Sequence, residues 1–268
     1  RCITYATSLA AWCDATQPQP QRPAPPPGPC VIVADPAYPA NPVGSALSNS
    51  GEAGRRAYPA PLPETRQEAE AVAASLRRQG LAVKTFMGAD AVPAALKFDR
   101  TPRVLHIAAH ALIASAPWMG GEGAADVDAQ VEMLQPGRRC ALLLAGSSRA
   151  SLLRADELQQ LQLSGAELVV LSACDSGNGF VESGEGVASL RRALEVAGAR
   201  GSLTSLWPVN SVATVRLMSD FYDGLASGLS APAALWQAKR HAISRGLPVA
   251  HWSAFLLAGR WADPAPRS

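Results

Sequence analysis

Length, composition and charge exclude several classes of protein. The chain has 268 residues, of which 48% are hydrophobic, and this allows one large or two small domains with an ample core. The formal net charge is only +2, with Lys and Arg scattered, so there is no basic footprint for nucleic acid or an anionic membrane. No apolar run approaches the roughly 20 residues that span a bilayer.

The five cysteines form no disulfide framework. They are odd in number, irregularly spaced and without a C-x-x-C pair, at Cys2, Cys13, Cys30, Cys140 and Cys174. A reduced, cytoplasmic setting is the simplest interpretation. The composition points to no cofactor.

Two segments near the start are rich in proline or in turn residues. Residues 17–29 (QPQPQRPAPPPGP) predict an extended linker, and residues 45–63 predict a long surface loop. The chain starts at Arg1 without Met, so we expect it to be part of something longer. The expected organisation is an N-terminal remnant and linker at 1–29, one domain at 30–262 and a tail at 263–268.

From residue 30 onward, apolar β-branched runs alternate with helical patterns. The expected strands are, in chain order, 30–35, 81–86, 103–109, 141–146, 167–174, 201–207 and 254–259. The expected helices are 64–80, 154–163, 184–198, 211–225 and about 230–245. Thr65 and Glu68 predict a capping box for the first of them. Fully apolar strands alternating with helices are typical of an α/β fold with a mostly parallel sheet of about six strands and helices on both faces.

In such a sheet the chemistry lies where strands end. His110 follows the strand 103–109, Cys174 ends the strand 167–174, Ser147 and Ser148 follow 141–146, and 207–211 follows 201–207. If the strands of His110 and Cys174 are neighbours, a general base meets a thiol nucleophile there. The alternative is that Cys174 is a buried thiol without a chemical role.

His106 and His110 raise a second possibility, a zinc hydrolase. On a helix the four-residue spacing would put both imidazoles on one face, but the Glu of an H-E-x-x-H site is replaced by Ile107. On a strand the two residues lie about 13 Å apart, at roughly 3.3 Å per residue, so they could not share one metal. The strand interpretation is favoured, with His106 either in the core or in a supporting position behind the site, and no metal is expected.

Several motifs in a fixed order resemble the CHAT family of caspase-like, separase-related peptidase domains of bacteria. The motifs are LPETRQEAEAVA, HIAAH-Ala, ELVVLSACDSGNG, GEGVASLRRALEVAGARGSLTSLWPVN and GLSAPAALWQAKR…HWSAFLLAG, and they cover roughly residues 30–260. The resemblance implies a caspase-like three-layer sandwich. It also implies a cysteine peptidase, often fused to tetratricopeptide repeats.

The resemblance assigns roles to individual residues. It implies that Cys174 is the nucleophile, that His110 handles the proton, and that the N–H of Ala111 contributes to the oxyanion site. An extended protein or peptide substrate would lie beside 201–207. The residues expected to contact it are Ser172, Asp175, Ser205, Trp207, Asn210 and Ser211.

Three departures from the family pattern bear on activity. Ala111 stands where Gly is usual, which would cost roughly 1 kcal/mol if positive φ were required. Asn210-Ser211 replaces paired aspartates, which argues against a strict Arg or Lys preference. The segment 119–130 (MGGEGAADVDAQ) is an added lid or a variable loop.

Two functions from different classes remain open beside the zinc hydrolase. The first is a cysteine endopeptidase regulated by an upstream sensor, such as tetratricopeptide repeats in cis or a partner protein. The second is a catalytically silent scaffold that binds peptide without cleaving it. Ala111 and the missing aspartates favour the scaffold, and the His110–Cys174 pair favours the peptidase.

Overall fold

The computed structural model describes residues 28–38, 61–113, 140–146, 151–172, 174–175, 185–207, 209–259 and 261. Several segments discussed above lie outside these residues: most of the proline-rich linker, the loop 45–60, the segment 119–130, Ser147 and Ser148. For some residues within these strands and helices, including Cys174, Asp175 and Glu185, the structure describes the backbone but not the side chain.

A six-stranded sheet forms the centre of the domain. Its strands are β1 (Cys30–Pro36), β2 (Val83–Gly88), β3 (Val104–Ala108), β7 (Leu168–Leu171), β9 (Gly201–Ser205) and β10 (Phe255–Gly259). Their order across the sheet is β10-β9-β7-β3-β1-β2. All neighbouring pairs are parallel except β10 and β9. The expected mostly parallel six-stranded sheet is therefore confirmed.

Three long helices cover one face of this sheet. They are α1 (Pro63–Arg78), α4 (Ser211–Ala226) and α5 (Ala231–Ser244). α1 buries a stripe at three- and four-residue spacing that includes Ala69, Val72, Ala73 and Leu76, and this stripe packs on alternate residues of the sheet. Gly80, at φ +74°, follows the end of α1, in a conformation that suits glycine.

A second, four-stranded sheet contributes to the opposite face. Its strands are β4 (His110–Ile113), β5 (Cys140–Leu144), β6 (Ser151–Arg154) and β8 (Cys174–Asp175), in the order β6-β5-β4-β8. Together with α2 (Ala155–Leu158) and α3 (Glu185–Val196), it buries the other side of the large sheet. The short helix α6 (Val249–Trp252) precedes β10. The three-layer α/β sandwich is thus confirmed, with one layer part sheet and part helix.

Two local predictions were wrong. The run 141–146 does form a strand, but β5 pairs antiparallel with β4 and β6 in the small sheet rather than joining the large one. The capping box is not formed, because α1 begins at Pro63 after Leu62, three residues earlier than the box requires. Thr65 instead donates its hydroxyl to Leu62 O at 2.6 Å, and Glu68 is buried.

Candidate functional site

The chain crosses from the large sheet to the small one at two neighbouring positions. β3 ends at Ala108 and β4 begins at His110, while β7 ends at Leu171 and β8 begins at Cys174. Because β3 and β7 pair in parallel, both crossings occur at the same edge. β4 and β8 then pair in parallel, with His110 directly opposite Cys174 and Ala111 opposite Asp175. The predicted convergence of these two strand ends is therefore present in the backbone.

His110 is enclosed by Tyr38, a residue that sequence reasoning missed. The two ring centroids lie 5.6 Å apart at an angle of 36°, and His110 is only 1% exposed. Tyr38 Oη donates a hydrogen bond of 3.0 Å to the carbonyl of Leu143, which is the register partner of His110 on β5. One signal near this contact was the Asp35-Pro36 dipeptide, which favours an irregularity and falls at the end of β1.

Ala111 lies inside β4 with a strand on each side. Its register partners are Leu142 on β5 and Asp175 on β8, and its side chain is buried. Among the described residues, Asp35 is the one non-glycine residue with positive φ, so Ala111 adopts an ordinary backbone conformation. The replacement of Gly by Ala therefore introduces no left-handed strain here. Donation by its N–H to an oxyanion stays a prediction.

The other predicted site residues follow β7 and β9. Ser172 and Ser205 are buried, and Ser172 N–H donates to Ile107 O at 2.9 Å. Trp207 is 36% exposed, and its Nε1 donates to the carbonyl of Ala250 at 2.9 Å. The exposed indole face leaves Trp207 able to contact a second molecule.

Asn210 and Ser211 open helix α4. Asn210 Oδ1 accepts the backbone N–H of Ala213 at 3.1 Å, which makes Asn210 the N-cap of α4. Ser211 is the first residue of the helix and is half-buried. The oxygen of Asn210 is thus engaged in a local structural role.

His106 lies in the core, as the strand interpretation predicts. Its Nδ1 is 3.2 Å from Tyr222 Oη, and its Nε2 is 3.1 Å from Glu68 Oε1. The second pair is close but is not aligned for a straight hydrogen bond, so we treat it as an electrostatic contact. All three side chains are at most 2% exposed. Burial raises the pKa of Tyr222 well above its usual range, and the nearby charges of Cys30 and Glu68 raise it to a smaller extent.

These contacts bear directly on the zinc hypothesis. Both ring nitrogens of His106 face Tyr222 and Glu68, whereas His110 belongs to a different strand and a different sheet. Within the described ranges, no group of three or more His, Cys, Asp or Glu side chains is arranged to hold a metal ion. The two histidines therefore do not form a ligand pair.

The fold and the two strand ends define a three-layer α/β domain with its candidate chemistry at the carboxyl edge of a parallel sheet. Comparison with family models then gives a specific assignment. The model of the CHAT domain matches residues 1–260, so the chain belongs to the CHAT domain family. The family predicted from the motifs is thereby confirmed.

Two curated relatives share part of this sequence. Tetratricopeptide repeat protein 28 of Mus musculus is 38% identical over 114 residues, which is 41% of this chain. The Homo sapiens protein of the same name is 38% identical over 111 residues, or 40% of this chain. The matching segment spans only 4% of each relative's own length.

One solved structure resembles the chain at low sequence identity. It is the Arg specific cysteine proteinase gingipain R, with 11% identity and a TM-score of 0.41. The similarity covers 86% of this chain and 45% of the proteinase. In the part of the chain that the structure describes, no helix is both long and apolar enough to cross a membrane.

Proposed function

We propose that this chain is the catalytic domain of a cysteine endopeptidase, with Cys174 as the nucleophile and His110 as the proton acceptor and donor. The observation that supports this most is the β4–β8 register, which sets His110 directly opposite Cys174. Membership of the CHAT domain family is consistent with it. The proposed catalytic unit is residues 30–262, with 1–29 as a linker and 263–268 as a tail.

The proposed reaction uses a covalent intermediate. His110 takes the proton of the Cys174 thiol, and the resulting thiolate sulfur attacks the peptide carbonyl carbon. Backbone N–H groups, with that of Ala111 as a candidate, stabilise the oxyanion. The C–N bond breaks as His110 protonates the leaving amine. Water, deprotonated by His110, then attacks the thioester, which releases the acid product and restores the thiol.

The substrate in this proposal is a protein segment that lies extended beside β9. Ser172 and the 205–211 region, with Ser205, Trp207 and Ser211, would line its first pocket, and Asp175 would be a further contact. Asn210 is uncharged and its Oδ1 caps α4 by accepting the N–H of Ala213, which supports the expectation that a strict Arg or Lys preference is missing. A basic side chain pairs more strongly with a carboxylate than with a neutral amide, because the hydrogen bond is then charge-assisted.

Regulation by a repeat region is the second part of the proposal. Two relatives carry tetratricopeptide repeats in their name, which is compatible with such a region in cis or on a partner. We expect the 268-residue chain alone to be weakly active. A reducing compartment such as the cytoplasm would keep the Cys174 thiol reduced.

Cleavage of a peptide library, with and without the natural upstream region, tests the proposed function. Cys174→Ala should abolish cleavage, and His110→Ala should lower the rate by roughly 10²–10⁴-fold. Cys140→Ala and His251→Ala are matched controls, because Cys140 is a buried β5 residue and His251 belongs to α6. Both controls should keep activity. Equal cleavage by Cys174→Ala and the parent chain would overturn the proposal.

A peptide-binding scaffold is the second candidate, and the burial of His110 favours it. A side chain that is 1% exposed cannot meet a substrate without some opening of the site. A peptidyl ketone that reacts with nucleophilic thiols separates the two functions. Labelling of Cys174 that requires His110 supports the peptidase. Peptide binding without any labelling, in the presence of the upstream region, supports the scaffold.

A further inference from the structure

A bulge interrupts β1 near its end. The parallel register between β1 and β2 shifts between Ala34 and Pro36, so that Pro36 rather than Asp35 pairs with Gly88. Asp35 itself has φ +46°, a left-handed conformation that is uncommon outside glycine and costs roughly 1–2 kcal/mol. A cost of this size persists only where the surroundings fix the conformation.

Neighbouring residues hold this bulge from several sides. Asp35 N–H donates to Thr65 Oγ1 at 3.1 Å, and the Asp35 carboxylate pairs with Arg66 at 2.7 Å. Ala37 N–H donates to Gly88 O at 2.9 Å. The start of α1 and the end of β2 thus determine where the chain goes after β1.

Two residues after this bulge ends, Tyr38 lies against the small sheet. Its ring lies 5.6 Å from that of His110, and its hydroxyl is fixed on Leu143 O of β5. Burial raises the pKa of Tyr38 above its ordinary value, and this exceeds the opposing effect of a backbone hydrogen bond at His110. The phenol therefore stays protonated near neutral pH and remains a donor.

We propose that Tyr38 is a positioning residue, which holds the His110 imidazole in the orientation that the Cys174 reaction requires. This inference rests on the proposed function. A ring at this distance restricts imidazole rotation and excludes water from one side. Because general base catalysis depends on the direction of the ring nitrogen, a small rotation lowers the rate. The anchor on Leu143 keeps Tyr38 itself in register with His110, since Leu143 and His110 are strand partners.

Three variants test this with the complete protein. Tyr38→Leu removes the ring, and Tyr38→Phe keeps the ring but loses the hydroxyl. Phe98→Leu is the control, because it removes a half-buried ring that packs on the core between the two sheets. For Tyr38→Leu we expect kcat to fall about tenfold with KM unchanged, and the acid limb of the pH–rate profile to move. The kcat of Tyr38→Phe should stay within about threefold of the parent value. Phe98→Leu should have the parent kcat and KM, with a change in stability alone.

Two results would overturn the inference while leaving the peptidase intact. One is a Tyr38→Leu enzyme with unchanged kcat and an unchanged pH profile. The other is a rise in KM alone, which would make Tyr38 a substrate contact. Rescue by Phe but not Leu supports positioning by the ring.

NMR of the His110 imidazole separates failure of this inference from failure of the proposed function. The imidazole protons lie close enough to the Tyr38 ring to feel its ring current, so loss of the ring should shift their resonances. The imidazole should then sample several orientations. Unchanged resonances in Tyr38→Leu would overturn the inference whether or not the protein cleaves peptides. Changed resonances in a protein that never cleaves would count against the peptidase instead.

Discussion

At the scale of one residue, Asn210 stabilises the start of a helix at the position where paired aspartates were expected. Its Oδ1 caps α4 by accepting the N–H of Ala213, and its carbonyl accepts from Thr214. We expect Asn210→Ala to lower the free energy of unfolding by about 1 kcal/mol, because the N–H of Ala213 loses its acceptor. Urea denaturation measures this. Asn210→Asp, which can also cap, is the control, and an equal loss in both variants would exclude the capping role.

Glu68 should be far more sensitive to substitution than its position on a helix suggests. It is 2% exposed and faces the equally buried His106. Glu68→Ala leaves an imidazole nitrogen without a polar neighbour in the core, so we expect a loss of roughly 2–4 kcal/mol in unfolding free energy. Glu70→Ala, an exposed site on the same helix, should change stability by less than about 0.5 kcal/mol. Similar losses for both variants would contradict the buried contact.

The residues show which contacts a sequence can predict. The convergence of His110 and Cys174 follows from strand ends in a parallel sheet, and it was predicted. The contact of His106 with Tyr222 joins residues 116 positions apart, so no local sequence pattern could indicate it. Tyr38 escaped notice for the same reason, since its position depends on a left-handed Asp35 and on the start of α1. Glu68 was misassigned because its spacing from Thr65 matches a capping box.

At the scale of elements, apolar runs predicted strands well but not their sheet. The run 141–146 has the composition of a buried strand, and β5 is indeed buried on both sides. Its antiparallel pairing with β4 and β6 depends on connections that carry no periodic signal. The two-residue β8 is too short for a sequence pattern to indicate. The sequence predicts a single strand over 167–174, whereas the structure divides it into β7 and β8.

The antiparallel edge between β9 and β10 depends on a glycine. Gly259 has φ +123°, and a Cβ there would lie 2.5 Å from Arg200 O and from Gly201 Cα. Gly259→Ala should therefore cost roughly 2–4 kcal/mol in unfolding free energy, since backbone strain and a steric clash add. Gly246→Ala is the matched control. It also has positive φ, at +71°, but meets no atom within 4 Å, so about 1 kcal/mol is expected. Equal costs would argue against the close approach.

At the scale of the whole molecule, a thiol and two phenols whose pKa values are raised by burial predict that the protein loses stability at high pH. Burial raises the pKa of Cys30, Tyr38 and Tyr222 in the folded state. Stabilisation from such groups is complete below their unfolded pKa values, 9.0 for the thiol and 10.0 for the phenols, and is lost as the pH rises through the folded values. Lys239 is half-buried, and this burial lowers its pKa, so it acts in the opposite direction.

We therefore expect the melting temperature to be lower at pH 10 than at pH 8. Tyr222→Phe should have a flatter pH dependence than the parent, because one of the raised groups is gone. Thermal melts at fixed ionic strength between pH 7 and pH 11 measure this. A melting temperature that rises steadily with pH over this range would contradict the expected sign.

The pairing of β4 with β8 has a consequence for how the protein is inactivated. Among the described residues, two pairs, His110 with Cys174 and Ala111 with Asp175, join these strands. Local opening of so short a ladder needs less free energy than unfolding of the six-stranded sheet. In rising urea, the reactivity of the Cys174 thiol should therefore change before the far-ultraviolet circular dichroism does. Coincident transitions would mean that both sheets open as one cooperative unit.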